Sequence, residues 1–274
     1  MIKQRLVGIL LFIAAAVFFS CETVFGQRSI AIPNHARVYA DVFDNCYLVA
    51  EEMVEKMDST FAKIGRFRPE FGHITMVDPS NPFKLLLFQK DFYRITLLDN
   101  NLSPIGESQY LPDLDATFPL FACAMQDGGY WIFDGLQEKL LYYRNPGLPS
   151  YTSNDLSSIL WNTIPTELRS YGNTLYLGIA GKGIAVFDKF GSYRKLIPEA
   201  EAAESFQPIG ENIFFINRHG DLCSLNTLVT EDPLVIIPQL GVVESFSIGK
   251  NFLFFVKGSQ LTAAKLPLNF LQRK

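Results

Sequence analysis

From Arg37 onward the chain alternates short apolar runs, rich in β-branched and aromatic residues, with clusters of turn formers. This is the pattern of antiparallel strands, and no stretch carries a long helical period. The segment Leu175 to Pro198 shows the unit most clearly. An apolar strand leads to a turn at Gly181 and Gly183, a second strand ends in Phe187-Asp188, and a tight turn through Gly191 opens a third. Similar units are read at Arg37 to Phe67, His73 to Ile105, Ala122 to Tyr143, Glu167 to Pro198, Ser205 to Ile237 and Val243 to Leu266. Pro79 and Pro82 belong to a connection, since a proline removes a ladder donor from a central strand.

A polar residue closing the third strand is the landmark of the repeat: Asp58, Asp99, Asp134, Asp188 and Asn226, at intervals of 41, 35, 54 and 38 residues. These scatter about the roughly 40-residue period of propeller blades built from four strands. The longest interval is read as holding an insertion, Asn145 to Trp161. Within it Leu156, Ile159 and Leu160 stand at helical spacing and predict a short rim helix. The fold class read from this pattern is all-β, a propeller of about six four-stranded antiparallel blades, with five or seven as alternatives. A free four-stranded sheet exposes two apolar faces and two edges, and a ring of sheets buries the faces. The sixth unit is one strand short, and Ser29 to Ile32 is the segment expected to complete it.

Composition narrows the classes. The chain has 274 residues, 48% hydrophobic and only 19% charged, so a large core is available and a disordered class is excluded. A net charge of -4 without any basic run argues against nucleic acid as a partner. The N-terminus changes the picture further. Lys3 and Arg5 precede an apolar run from Leu6 to Phe19, a targeting segment too short for a comfortable membrane span. Two processing routes compete: cleavage after Gly26, making 1–26 a signal peptide, or a lipoprotein signal over 1–20 with Cys21 as the lipid-bearing residue. Residues 27–274 are then one propeller domain, exported and either periplasmic or associated with the outer membrane. Any membrane attachment would run through Cys21 alone. The remaining cysteines, Cys46, Cys123 and Cys223, sit in apolar strands and read as buried thiols, with one disulfide and a spare thiol as the alternative.

The segments Gly183 to Asp188, GIAVFD, and Tyr130 to Asp134, YWIFD, carry a glycine or aromatic lead, an apolar strand and an aspartate. In these the chain resembles bacterial exported β-propellers, the broad group of NHL, YVTN and assembly-lipoprotein propellers, over roughly residues 29 to 270. The resemblance implies an envelope scaffold or assembly factor with a protein partner in the envelope.

The residues themselves offer little catalytic chemistry. His35, His73 and His219 are each isolated from other metal-type ligands, so no metal is expected. Gly181-Lys182-Gly183 lacks phosphate-loop spacing and precedes a strand, so it reads as a hairpin turn. With only Trp131 and Trp161 the chain does not resemble quinoprotein dehydrogenases, whose tryptophan-docking repeats are missing; a quinone cofactor is thereby disfavoured, and no cofactor is assigned. The landmark carboxylates read as turn residues holding backbone N–H groups. Loop aromatics remain: Tyr93, Tyr110, and, nearest the insertion, Tyr151, Trp161 and Tyr171 as an interaction patch. The function expected is a non-catalytic protein-interaction scaffold. The alternative is a carbohydrate-binding protein, or a hydrolase- or lyase-type enzyme, with its site in the propeller channel.

Overall fold

Six sheets of four strands each account for every strand in the computed structural model, which describes residues 26–144, 147–200, 205–229 and 232–267. The first strand, β1 (Gln27–Ala31), stands apart from its neighbours in sequence. Blade 1 is β2 (Arg37–Ala40), β3 (Cys46–Ala50), β4 (Met53–Met57) and β5 (Lys63–Phe67). Blade 2 is β6 (Met76–Asp78), β7 (Leu85–Gln89), β8 (Arg94–Leu98) and β9 (Gln109–Tyr110). Blade 3 is β10 (Pro119–Ala124), β11 (Tyr130–Asp134), β12 (Lys139–Tyr143) and β13 (Tyr151–Thr152). Blade 4 is β14 (Pro165–Tyr171), β15 (Thr174–Ile179), β16 (Gly183–Asp188) and β17 (Tyr193–Ile197). Blade 5 is β18 (Phe206–Ile209), β19 (Asn212–Ile216), β20 (Leu222–Asn226) and β21 (Leu234–Ile237). Blade 6 is β22 (Ser245–Ile248), β23 (Phe252–Lys257), β24 (Gln260–Lys265) and, as its outer strand, β1. All neighbouring pairs are antiparallel, and β1 aligns Gln27 with Ala264 and Ala31 with Gln260. The predicted closure is therefore present, two residues earlier at its start than expected.

The apolar strands pack blade against blade. Tyr47, Leu87, Phe88 and Tyr143 belong to the layers joining blades 1, 2 and 3. Trp131 and Phe187 join blades 3 and 4, Tyr176 and Phe206 blades 4 and 5, Phe246 and Leu253 blade 6 to blade 5, and Met57 and Phe254 blades 1 and 6. Each fully buried aromatic contributes roughly 1.5–3 kcal/mol through the apolar surface it removes from water. Gly191 shows how close the approach is. It has φ 78°, and a Cβ there would lie 2.9 Å from the Trp131 ring of the neighbouring blade. Only glycine satisfies both demands.

The inner strands raise a different problem. Each has one edge paired within its blade and the other facing the channel, where backbone groups need partners. Side chains of neighbouring blades supply them around the whole ring. Ala124 N donates to Asp78 Oδ2 at 2.8 Å, linking blades 2 and 3, and Ser170 Oγ donates to Ala124 O, linking 3 and 4. Phe206 N donates to Glu167 Oε2 at 3.0 Å, and Gln207 exchanges two bonds with Ile248, its Oε1 accepting at 2.7 Å and its Nε2 donating at 2.8 Å. Ser247 Oγ accepts from Ala40 N at 2.9 Å, and a longer bond from Arg37 Nη1 to Thr75 O, 3.4 Å, joins blades 1 and 2.

Three readings of the sequence change. Asp58, Asp99, Asp188 and Asn226 end or follow the third strand of their blades, but Asp134 ends the second strand of blade 3. The intervals of 35 and 54 residues are thus one misplaced landmark, not a short blade followed by a long insertion. The six inner strands start about 40 residues apart throughout. The tract read as an insertion contains an outer strand, β13, and a one-turn helix, α1 (Ser157–Leu160). A two-residue strand is too short to show a period in sequence. In blade 2 the outer strand is Gln109–Tyr110, not Leu102 to Ile105. Asp99 Oδ1 accepts from Asn101 N and Ser103 N, which turns the chain there, and Leu102 takes φ 63° with its side chain buried in the core.

The landmark carboxylates serve their turns. Asp58 accepts from the Thr60 hydroxyl and from Thr60 N and Ala62 N, and the Thr60 hydroxyl and these N–H groups hold its carboxyl below the ordinary range. Asp188 accepts likewise from Phe190 N and Ser192 N. Cys46, Cys123 and Cys223 are buried free thiols, and burial pushes Cys46 up to about 12.

Asp134 is fully buried and accepts from Phe118 N, Leu136 N and Gln137 N at 2.8 to 2.9 Å. Asp134→Ala strands these donors and is expected to lower the stability by about 3 kcal/mol, against about 1 kcal/mol for Asp58→Ala, whose bonds lie at the surface. Urea unfolding of the two variants checks the order; equal losses would contradict it.

Candidate functional site at the channel mouth

The first turn of every blade, joining its inner strand to the second, lies at one end of the ring. There the ends of all six inner strands surround a cavity of about 340 Å³. Asp41, Asp78, Gln126, Arg169, Gln207 and Lys250 represent one residue from each blade in its wall.

Its floor is set by Arg169. Along β14 the residues Glu167, Arg169 and Tyr171 alternate to one side, as strand geometry requires. The Arg169 guanidinium lies 5.5 Å from the centre of the Tyr39 ring. Tyr39 belongs to blade 1 and Arg169 to blade 4, three places away in a ring of six, so this contact crosses the axis. A cation over an aromatic face is favoured by the ring quadrupole. Arg169 Nη2 pairs with Glu167 Oε1, both side chains being less than one-fifth exposed. Arg169 Nε is buried with no hydrogen-bond partner among the described residues. Burial opposes the charge of Arg169, but Glu167, Tyr39 and Asp78 outweigh it and hold the group protonated above its ordinary value. Burial raises the Tyr39 phenol, and Arg169 and Arg37 oppose that rise.

The acidic groups in the wall are already engaged. Asp41 accepts from Phe43 N, Asn45 N, Asn45 Nδ2 and Tyr47 Oη at 2.8 to 3.0 Å. Asp78 accepts from Ser80 N and Ala124 N at 2.9 and 2.8 Å. Gln207 is occupied by its two bonds to Ile248. Arg169, Gln126 and Lys250 are left to meet a visitor.

The three aromatics predicted as one patch are distributed over the ring. Tyr171 lines the mouth. Tyr151 lies at the same end but in an outer strand, stacked on Tyr142 at 5.6 Å and edge-on to Phe190 at 5.4 Å. Trp161 lies at the opposite end, with Lys182 Nζ 5.1 Å from its ring centre. Tyr93 and Tyr110 sit on blade 2, against Phe118 and under Arg94 respectively. Cys21 lies outside the described residues. His35, His73 and His219 are all exposed. His219 borders a second cavity of about 380 Å³ at the end opposite the mouth, between blades 5 and 6, with Arg218 and Glu244. No cluster of three metal-type ligands occurs among the described residues. Gly181-Lys182-Gly183 is a hairpin turn, and a Cβ on Gly183, φ 119°, would lie 2.1 Å from Ile197 O.

Sequence reasoning passed over Arg169, Glu167 and Tyr39. The available signal was polar alternation within an inner strand, Glu167 and Arg169 two residues apart where blade packing demands apolar groups.

A ring of six four-stranded blades around a lined channel makes the protein a six-bladed β-propeller. Solved structures agree. The chain is similar to a streptogramin B lyase (12% identity, TM-score 0.61, covering 88% of this chain and 97% of that one). It is also similar to the WD40 domain of Pan2 from Neurospora crassa (11% identity, TM-score 0.55, 88% and 96% covered) and to YCF48 bound to a D1 peptide (10% identity, TM-score 0.54, 88% and 96% covered). At these identities the likeness establishes the fold alone. No protein-family model and no curated protein matches the chain.

Glu167 joins the floor of the site to the ring, because its second oxygen holds blade 5. Glu167→Ala, which leaves a buried guanidinium and Phe206 N unpaired, is expected to cost about 3 kcal/mol. Glu167→Gln keeps an acceptor for Phe206 N and should cost less than half of that in urea unfolding. Equal costs would show that the clamp to blade 5 does not contribute.

Proposed function

We propose that this protein is a non-catalytic, exported interaction scaffold of the cell envelope that holds a polypeptide segment of an envelope partner at the channel mouth. The observation that carries the reading is the convergence of all six blades on one cavity whose aspartates are held by backbone and side-chain donors. Such a wall offers recognition but no activated nucleophile. The likeness to YCF48 bound to a D1 peptide adds that a propeller of this shape can take a peptide. Export rests on Lys3, Arg5 and the apolar run Leu6 to Phe19, with anchoring at Cys21 or release after Gly26. Labelled palmitate entering the wild-type chain but not Cys21→Ala selects the anchored form, and absence of label selects release.

A photo-crosslinking residue at Tyr171 is expected to capture an envelope protein in cells, while the same residue at Trp161, at the other end, is not. Capture at Trp161 alone would move the site away from the mouth. A second reading, a lyase, is favoured by the likeness to streptogramin B lyase and by the His219 cavity. Consumption of a streptogramin B by the purified protein, lost in His219→Ala, would replace the scaffold reading with this one.

A further inference from the structure

We infer that the channel-mouth cavity is a carboxylate-binding site in which Arg169 grips the ligand. This rests on the reading of the mouth as a docking site and names the chemistry that it docks.

Donors that lack acceptors mark the site. A guanidinium carries five N–H groups in a planar fork. Arg169 has a single ionic partner among the described residues, Glu167, and its Nε has none. The guanidinium lies over the Tyr39 ring and lines the cavity, so the N–H groups of its fork that Glu167 does not hold are the ones offered to an incoming group. Because the contact with Tyr39 crosses the axis, a group entering from the mouth meets that fork at the bottom of the cavity. A planar pair of oxygens matches it in a way that a single carbonyl does not. Lys250, exposed at the rim, adds a second positive charge on the approach.

The wall also limits the charge of the ligand. Asp41 and Asp78 accept from backbone and side-chain donors, and among the described residues neither forms an ion pair with Arg169. Their charges, with that of Glu167, still disfavour a dianion such as phosphate more than a monoanion. A carboxylate on a partner polypeptide and a free organic acid share this chemistry.

The test follows backbone amide signals of the cavity wall by NMR in the purified protein during titration with four probes. These are acetate, a Gly-Glu-Gly peptide blocked at both ends, its Gly-Gln-Gly counterpart, and a Gly-Gly-Gly peptide with a free C-terminus. The blocked glutamate peptide should bind at least about tenfold more tightly than the glutamine peptide, and Arg169→Lys should remove about tenfold of that affinity. Glu167→Gln, which frees the fork while keeping an acceptor for blade 5, should tighten binding. Acetate binding as tightly as either acidic peptide would make a free acid the ligand; weaker acetate binding makes it a polypeptide carboxylate, from a side chain or a terminus according to which peptide prevails. Equal binding of the glutamate and glutamine peptides, or no change in Arg169→Lys, would overturn the inference. Should Arg169→Lys not fold, Glu167→Gln decides: tightening supports the site and unchanged affinity overturns it. Capture at Tyr171 with no carboxylate preference would leave the scaffold standing and this inference refuted, whereas loss of capture refutes the scaffold itself.

Discussion

The structure depends on the free inner edges of its blades. A blade pairs its own strands, but nothing in a single sheet pairs the edge that faces the axis, and unpaired backbone groups there are costly. Side chains from neighbours meet that need at successive junctions: Asp78 onto Ala124, Ser170 onto Ala124, Glu167 onto Phe206, Gln207 onto Ile248, and Ser247 onto Ala40. The apolar layers supply most of the energy, but these bonds fix the angular position of one blade against the next. The outer closure, β1 on β24, completes the ring at the rim.

The same bonds shape the cavity. Glu167 holds blade 5 with one oxygen and Arg169 with the other, so the charge at the floor and the geometry of the ring are coupled through one carboxylate. Asp78 and Gln207 are likewise both wall and clamp. A rigid mouth with few uncommitted groups is suited to selecting a ligand by a small number of contacts, because little ordering is needed on binding. Arg169 and Lys250 are the charged groups with capacity to spare.

Much of the architecture was legible in the chain. Short apolar runs separated by Asx and glycine turns disclosed the strands, and the missing strand of the last unit disclosed the closure by the N-terminal segment. The errors have physical causes. Asp134 resembles Asp188 because both cap turns after apolar strands, and local chemistry does not record at which end of a blade a turn lies. The outer strand β13 is two residues long and lies in a polar tract, below the length at which alternation can be recognised. In blade 2, Leu102 looks like a strand residue because it is apolar, yet it is buried in left-handed backbone on a turn held by Asp99.

Local pattern and the need to bury two-faced sheets thus determined, from the sequence alone, an all-β ring of about six blades and the strand that closes it. Only the tertiary structure decided which residues meet at the axis. Arg169 and Tyr39 are 130 positions apart and belong to opposite blades, and neither is marked by a motif. Contacts across a ring depend on the number of blades and their angular spacing, and no local stretch of chain encodes these. For the same reason the aromatics Tyr151, Trp161 and Tyr171, close in sequence, are divided between rim, far end and mouth: each successive strand reverses direction and steps outward from the axis.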